Sequence, residues 1–511
     1  MFFEQVFARS EAAIRSCGAV VRDLELAGLH VRLIFAGPEL ETRLMPAIAH
    51  LRAQRNGAPD LVCHIWDSAS SGVAMVDAPV SPGCFSERGD IAGFGDDRIL
   101  AAFQPSDYSL SLFDAATRTG IFWVEAADRL PYWTQAAPFR TLFHWWVERS
   151  GGVLVHGAVV GNGDGAVLIT GKGGSGKSTT ALACLAAGFR FVGDDYVALY
   201  PGEKIRAYAL YCTAKLNPDN ASPFAAFGPR ILGTGATRGE AKLVVFLPRG
   251  RKGVTGSLDL TSILVPRFGD GPDSGIEPVD PAFLSMAAAA SSLAQLPGAG
   301  AVTVERIARL TARLPGHALR LGSMLDDVPP TIAGLLRDPH PLSPPPPAED
   351  LPFLSLIVRV GDDPALLVDT VRDVIAEGCP RLEAIIVDHG APGLETAVGM
   401  LPFQPRILRA DEVDADGHAG AAGDLVATLR AGDRLVPGAL RRILRRFRDD
   451  PALEAAGAVI RRRSTGQVRA ETEPLLRNPA EAAEPADMRR LALGLARQAL
   501  GRKRALVPCA R

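Results

Sequence analysis

Apolar and polar positions follow two periods along this chain, and the switches between them mark out its elements. In "HVRLIFAG" and "DLVCHIWDS" apolar residues alternate or run together, the strand pattern, while "PELETRLMPAIAHLRAQ" between them has the spacing of an amphipathic helix. "YSLSLFDAATRTGIFWVEA" reads as a β-hairpin. The runs "VLVHGAVV" and "GAVLITG", joined by the turn-rich "GNGD", predict another. "KSTTALACLAAG" predicts a helix closed by Gly188, and "FRFVGDDYVALY" a strand after it. Further strands are expected at "IRAYALYC", "AKLVVFLP" and "LTSILVP", followed by Ala-rich helices.

One stretch breaks both periods. "DPHPLSPPPPAEDLP", residues 338–352, favours an extended polyproline spacer over helix or sheet interior. The expected fold class is therefore α/β in several parts. These are an N-terminal α+β domain at 1–135, a domain with a Gly-rich loop at 136–337, the Pro-rich linker, a small Rossmann-like domain at 353–470 and a tail at 471–511. The tail sequence "DMRRLALGLARQALGRKRALV" has helical spacing and reads as a solvated basic helix. No repeat of solenoid length is visible.

Composition narrows the function classes. Hydrophobic residues make up 47% and charged residues 22%, the balance of an ordinary globular protein. The net charge of -2 gives no global electrostatic case for nucleic acid. Seven scattered cysteines, without a CxxC pair or a Cys/His cluster, indicate neither a disulfide framework nor a zinc site. The start "MFFEQVFARSEAAIRS" lacks the pattern of a signal peptide, and no run approaches the roughly 18 apolar residues of a membrane helix. The cytoplasm is the default expectation. All five tryptophans precede the Gly-rich loop and are expected to anchor cores or interfaces.

Lysine is rare: seven of 55 basic residues, at Lys172, Lys177, Lys204, Lys215, Lys242, Lys252 and Lys503. An arginine-biased chain that keeps a lysine can need a slender ammonium there. Two of the seven lie in the Gly-rich loop, and Lys215 and Lys242 lie in the same domain.

That loop carries the strongest chemical signal. Gly171-Lys172-Gly173-Gly174-Ser175-Gly176-Lys177-Ser178 matches the phosphate-loop pattern in full, with an apolar strand entering and a helix leaving. Its glycines let backbone N–H groups turn onto phosphate oxygens at a helix N-terminus. Lys177 is expected to reach the β- and γ-phosphates, Ser178 to ligate Mg²⁺, and Thr179 to complete the nucleotide-binding set. Asp194 and Asp195 close the next apolar run. Neighbouring carboxylates on a strand point opposite ways, so both face a site only near the strand's end. One could hold the metal, the other accept a proton from an attacking hydroxyl.

The stretch "HGAVV…GAVLITGKGGSGKSTTALACLAAGFRFVGDDYV" resembles the catalytic core of the bacterial HPr serine kinase family, relatives of the PEP carboxykinase type of P-loop fold. A His-Gly strand, the phosphate loop, an A-L-x-L helix and a closing "DD" occur there in this order. The close match covers about 45 residues, and a weaker one extends to about residue 337. The resemblance implies ATP and Mg²⁺ as cofactors. It makes His156 the active-site histidine, Lys177 the phosphate-binding lysine, Ser178 a Mg²⁺ ligand, and Asp195 the base with Asp194 beside it. The family's later E-x-R-G-x-G segment, source of a metal-binding glutamate, is absent; Glu240 in "RGEAKLVVF" is the expected substitute. The first 135 residues are unlike the family's N-terminal domain, so HPr is not the expected acceptor. Related kinases of peptide-modification systems suggest a peptide or protein serine hydroxyl. A homo-oligomer is one arrangement the sequence allows.

"PFLSLIVRVGDDPALLVDTVRDVIAEGCPRLEAIIVDHG" and "AAGDLVATLRAGDRLVPGALRRIL" resemble a family 2 glycosyltransferase of the GT-A fold. Asp388 matches the first aspartate of that family's V-D-D-G, and His389 replaces the second. At the metal-binding D-x-D, Arg430 and Gly432 take the two ligand positions, leaving Asp433. A guanidinium cannot ligate a cation and glycine has no side chain. A degenerate, non-catalytic module is the expected reading. Three functions follow: an ATP-dependent serine kinase, first; a nucleotide-binding regulator; and a glycosyltransferase with a regulatory P-loop domain.

Overall fold

A computed structural model of the 511-residue chain describes residues 2–477. Outside the description lie 81–84, 86–87, 92–93, 228–229, 234–241, 248–249, 270, 280, 294, 339–349, 362, 378, 380, 400, 402, 404, 414–420, 436–438, 454, 465–466 and 478–511. Glu240, most of the Pro-rich linker and residues 478–511 of the tail thus fall outside the described residues, whereas 471–477, expected to begin the tail, form part of a strand. The protein is a mixed α/β chain, and its described residues form four sheets.

The first sheet has strands β1 (Ala19–Leu26), β2 (Leu29–Ala36), β3 (Leu61–Asp67), β4 (Ile99–Gln104), β5 (Ser109–Asp114) and β6 (Thr119–Val124), in the order β1-β2-β3-β6-β5-β4. β2 and β3 run parallel, with the helix Glu39–Ile48 between them in the chain, and β5 and β6 form the expected hairpin. Trp66, Trp123, Trp145 and Trp146 are buried. Trp145 sits in the helix Arg140–Arg149 and donates to the Pro297 carbonyl at 2.8 Å, tying this region to a distant part of the chain.

The second sheet carries the Gly-rich loop. Its strands are β7 (Val153–Gly161), β8 (Ala166–Thr170), β9 (Arg190–Gly193), β10 (Tyr196–Tyr200), β11 (Arg206–Ala209), β15 (Ser257–Asp259), β16 (Ser262–Phe268), β17 (Gly275–Pro278) and β18 (Gly316–Leu321). They run in the order β15-β11-β10-β7-β8-β16-β18-β17, with β9 also on β7. β7 and β8 pair antiparallel from Gly157↔Thr170 to Gly161↔Ala166, the second predicted hairpin. Every residue of both strands is buried, which is why they read as continuous apolar runs rather than as alternations. A small sheet of β12 (Thr213–Leu216), β14 (Lys242–Phe246) and β13 (Arg230–Gly233) lies alongside in sequence.

The helix Lys177–Ala186 follows the loop. Gly188, at φ 93°, ends it as predicted, with its N–H on the Leu185 carbonyl and the Phe189 N–H on the Cys184 carbonyl. This is a Schellman motif, which needs the left-handed conformation that glycine adopts without a Cβ clash.

The predicted strand "FRFVGDDYVALY" is corrected. It is two strands, β9 and β10, broken at Asp194–Asp195, with Asp195 in the left-handed region at φ 71°. Regular extension would have sent the two carboxylates to opposite faces; the turn lets both serve one place.

The fourth sheet contains β19 (Leu354–Val360), β20 (Leu382–Asp388), β21 (Arg406–Arg409), β22 (Leu425–Arg430), β23 (Arg434–Leu435), β24 (Ala455–Ser464) and β25 (Gln467–Arg477). Its order is β21-β20-β19-β22-β25-β24-β23, the first four strands parallel. Among the described residues no helix is long and apolar enough to cross a membrane.

Candidate functional site

The loop between β8 and the helix Lys177–Ala186 is shaped by its glycines. Gly171, Gly174 and Gly176 have φ of 135°, 77° and 96°. At Gly176 the positive φ strains any side chain, and a Cβ there, 2.6 Å from Leu321 Cδ1, would also push that methyl aside. Lys177 is buried, and its Nζ donates to the carbonyls of Gly171 and Lys172, both at 2.8 Å. The ammonium is thus folded back over its own loop. Burial lowers its pKa to about 8, against the raising influence of Asp194 and Asp195. The buried Ser175 hydroxyl has no hydrogen-bond partner among the described residues.

Asp194 is 1% exposed. Its Oδ2 accepts the Lys215 backbone N–H at 3.2 Å, and the Ser178 side chain nearby favours its charged form. Its Oδ1 has no partner among the described residues. Burial and the neighbouring Asp195 charge push its pKa up to about 6. A buried carboxylate with a free oxygen, near the phosphate-loop serine, fits a divalent cation. Ser178 and Asp194 are the residues that would hold Mg²⁺, and the cation would neutralise phosphate charge. No group of three or more His, Cys, Asp or Glu arranged to hold a metal ion occurs among the described residues, so phosphate oxygens and water would complete such a shell.

Asp195 is placed differently. Its Oδ2 accepts from Lys215 Nζ at 2.6 Å, and its Oδ1 lies 3.4 Å from His156 Nε2. Although burial opposes it, the Lys215 charge and the His156 contact hold this carboxyl far below the ordinary range. His156 lies on β7, opposite Tyr196 of β10 in register. Burial foremost, with the Lys177 charge, lowers its pKa to about 4, so at neutral pH it is an uncharged imidazole that orients Asp195. Its backbone N–H donates to Ser292 Oγ at 2.9 Å, and Thr170 Oγ1 donates to its carbonyl at 3.2 Å. The Tyr196 ring stands 5.4 Å from the imidazole, and the Tyr196 hydroxyl donates to Gln295 Oε1. Arg140 Nη1 donates to that hydroxyl at 3.4 Å.

His156, Lys177, Ser178, Asp194 and Asp195 therefore share one locality. The residue that sequence reading did not place there is Lys215, whose backbone N–H holds Asp194 and whose ammonium holds Asp195. Its signal was the scarcity of lysine. Arg140, Tyr196 and Gln295 carried none, since they reach the site only through tertiary packing.

Asp194 has a stability consequence. Its folded pKa is raised from 3.8 to about 6, so the folded state binds the proton more tightly than the unfolded one. Folding stability attributable to this group is greatest below about pH 4 and falls as pH rises to about 6. Asp194→Asn is expected to remove that fall and raise the thermal midpoint at neutral pH, checked by differential scanning calorimetry from about pH 4 to about pH 8. An unchanged pH profile in the variant would refute this.

In the C-terminal sheet, Asp388 ends β20, and its Oδ1 accepts the N–H groups of Gly390 at 2.8 Å and Ala391 at 3.0 Å. Asp433 is 1% exposed, and its Oδ2 accepts the Arg430 N–H at 2.9 Å. Both carboxylates brace local turns.

No family model matches the sequence, and no curated protein does. Among solved structures, one it is similar to is titled "Structure of the Hpr(Ser) kinase/phosphatase from Coxiella burnetii". The identity is 15% and the TM-score 0.19, over 36% of this chain and 94% of that one. A likeness at that level carries no functional weight.

Proposed function

We propose that this protein is an ATP-dependent kinase that transfers the γ-phosphate to a serine hydroxyl of a peptide or protein, with Mg²⁺ held by Ser178 and Asp194. One observation carries the reading. An ionised aspartate, Asp195, is fixed by His156 and Lys215 beside a phosphate loop whose lysine and serine lie next to its neighbour Asp194.

Nucleotide binding would draw Lys177 from the Gly171 and Lys172 carbonyls onto phosphate oxygens. Asp195 would orient the acceptor hydroxyl. As the acceptor oxygen bonds to the γ-phosphorus, the bond from that phosphorus to the β–γ bridging oxygen breaks, and the hydroxyl proton passes to Asp195. A carboxylate of low pKa is a weak base, but phosphoryl transfer has a loose transition state in which the proton leaves late, so positioning matters more than basicity. His156, neutral and buried, would keep Asp195 aimed while Lys215 offsets its charge. In the C-terminal part, the resemblance to a glycosyltransferase would require metal ligands at the positions of Arg430 and Gly432, which cannot supply them, and Asp433 braces a turn. We assign it a non-catalytic role.

The test is incubation of purified protein with Mg·ATP labelled in the γ-phosphate and extract from its own source, followed by mass spectrometry. Label on a serine of a peptide or protein supports the kinase. Nucleotide bound with no transfer would replace it by a nucleotide-binding regulator, a reading that draws on Lys215 already occupying Asp195 Oδ2. Label released only as free phosphate would mean an ATPase.

A further inference from the structure

Two apolar side chains stand in solvent on turns that are bonded together, one of them beside the phosphate loop, and neither the core nor the proposed transfer uses them. Phe268, the last residue of β16, is 73% exposed, the highest value among the large hydrophobic residues described. Met324, in the turn after β18, is 53% exposed. A ring left in water forgoes the transfer free energy that burial would give it, so a ligand that covered it would gain that free energy on binding.

The topology says which partner. β16 lies parallel to β8, with Ser262 opposite Val167 and Leu264 opposite Ile169. It runs on past the end of β8 along the flank of the loop. Val265 Cγ1 comes within 3.5 Å of where a Cβ on Gly171 would be, and Phe268 Cζ within 3.8 Å of the same point on Gly176. The turns after β16 and β18 are bonded together: the Gly269 N–H to the Leu321 carbonyl at 2.9 Å, Ser323 to Gly271 at 3.3 Å, and Met324 to Pro272 at 3.2 Å. They tie together the two backbone segments that carry these side chains. β7, which carries His156, pairs with the opposite edge of β8, and the Asp194–Asp195 turn lies beyond it. A nucleotide whose γ-phosphate points toward Asp195 therefore carries its base toward β16 and β18.

We propose that Phe268 and Met324 form the platform on which the purine base of the bound nucleotide rests. The inference builds on the nucleotide reading above and adds to it a base site. Aromatic stacking and sulfur–ring contact reward a flat π face without reading its edge. ATP and GTP should thus bind with similar affinity, and both more tightly than a bare triphosphate chain.

Isothermal titration calorimetry on the full chain, with Mg·ATP and with Mg·tripolyphosphate, tests this. Both side chains are exposed, so their replacement leaves the fold intact. Phe268→Ala is expected to weaken ATP binding about tenfold while tripolyphosphate binds as before. Met324→Ala should act in the same direction but less strongly. Phe268→Trp should restore ATP binding and add fluorescence, relative to the unaltered protein, that ATP quenches and tripolyphosphate does not. Equal affinities for ATP and tripolyphosphate in the unaltered protein would overturn the base site, as would a Phe268→Ala change that weakens neither ligand or both alike. If the unaltered protein binds neither, the nucleotide reading itself falls and the base site with it.

Discussion

Lys177→Met is expected to abolish phosphoryl transfer and to weaken Mg·ATP binding by about 30-fold or more. Truncating one partner of a buried, hydrogen-bonded charge pair costs about 2–5 kcal/mol. The unliganded loop adds a signature. Burial sets the Lys177 pKa at about 8, while the ammonium rests on two neutral carbonyls. Phosphate oxygens stabilise the charged form and raise that pKa in the complex. The complex then binds more protons than the free protein, so affinity falls as pH rises through about 8. Calorimetry at about pH 9 in buffers of different ionisation enthalpy should show proton uptake on binding, and Lys177→Met should remove it. ATP affinity that is flat across this range would mean that Lys177 does not meet the phosphates.

The second large effect concerns Asp195 and Lys215. Asp195→Asn is expected to lower transfer about 10²–10⁴-fold, the contribution of a positioned acid–base group. It should also destabilise the fold by about 3 kcal/mol, because removing one partner of a buried pair leaves the other uncompensated. The Lys215 side chain is 21% exposed and Asp195 is 14% exposed, so little water is available to replace the lost anion. A loss of activity through unfolding is separated from a loss of chemistry by the double variant Asp195→Asn/Lys215→Met. Removing both charges should recover most of the stability and none of the transfer. Recovery of transfer would assign Asp195 a structural role alone. The pH dependence is opposite to that of Asp194. The folded pKa of Asp195 lies below the unfolded 3.8, so its contribution is present above about pH 4 and is lost as pH falls further.

The sequence by itself determined the local parts of this protein. The loop from Gly171 to Ser178, the β7–β8 hairpin before it and the Gly188 stop after it are written in residues adjacent in the chain. Their physics is also local: positive φ at glycine, apolar runs that bury on both faces, and a helix end with bonds only to its own last turn. The mixed α/β class was equally legible, since the switch between strand and helix periods recurs along the chain.

Tertiary structure decided the rest. "FRFVGDDYVALY" looks like one strand because its apolar positions flank the aspartates evenly. Only pairing against β7 shows the break that turns both carboxylates toward the phosphate loop. Lys215 and Asp195 meet because β12 is brought beside the β9–β10 turn, a closure that no periodicity records. Phe268 reads in the sequence as the end of an apolar strand. It becomes an exposed ring beside Gly176 because β16 outruns its parallel neighbour. Short-range steric and hydrogen-bond preferences are properties of adjacent residues. Charge pairing and surface placement depend on which strands the packed core sets side by side.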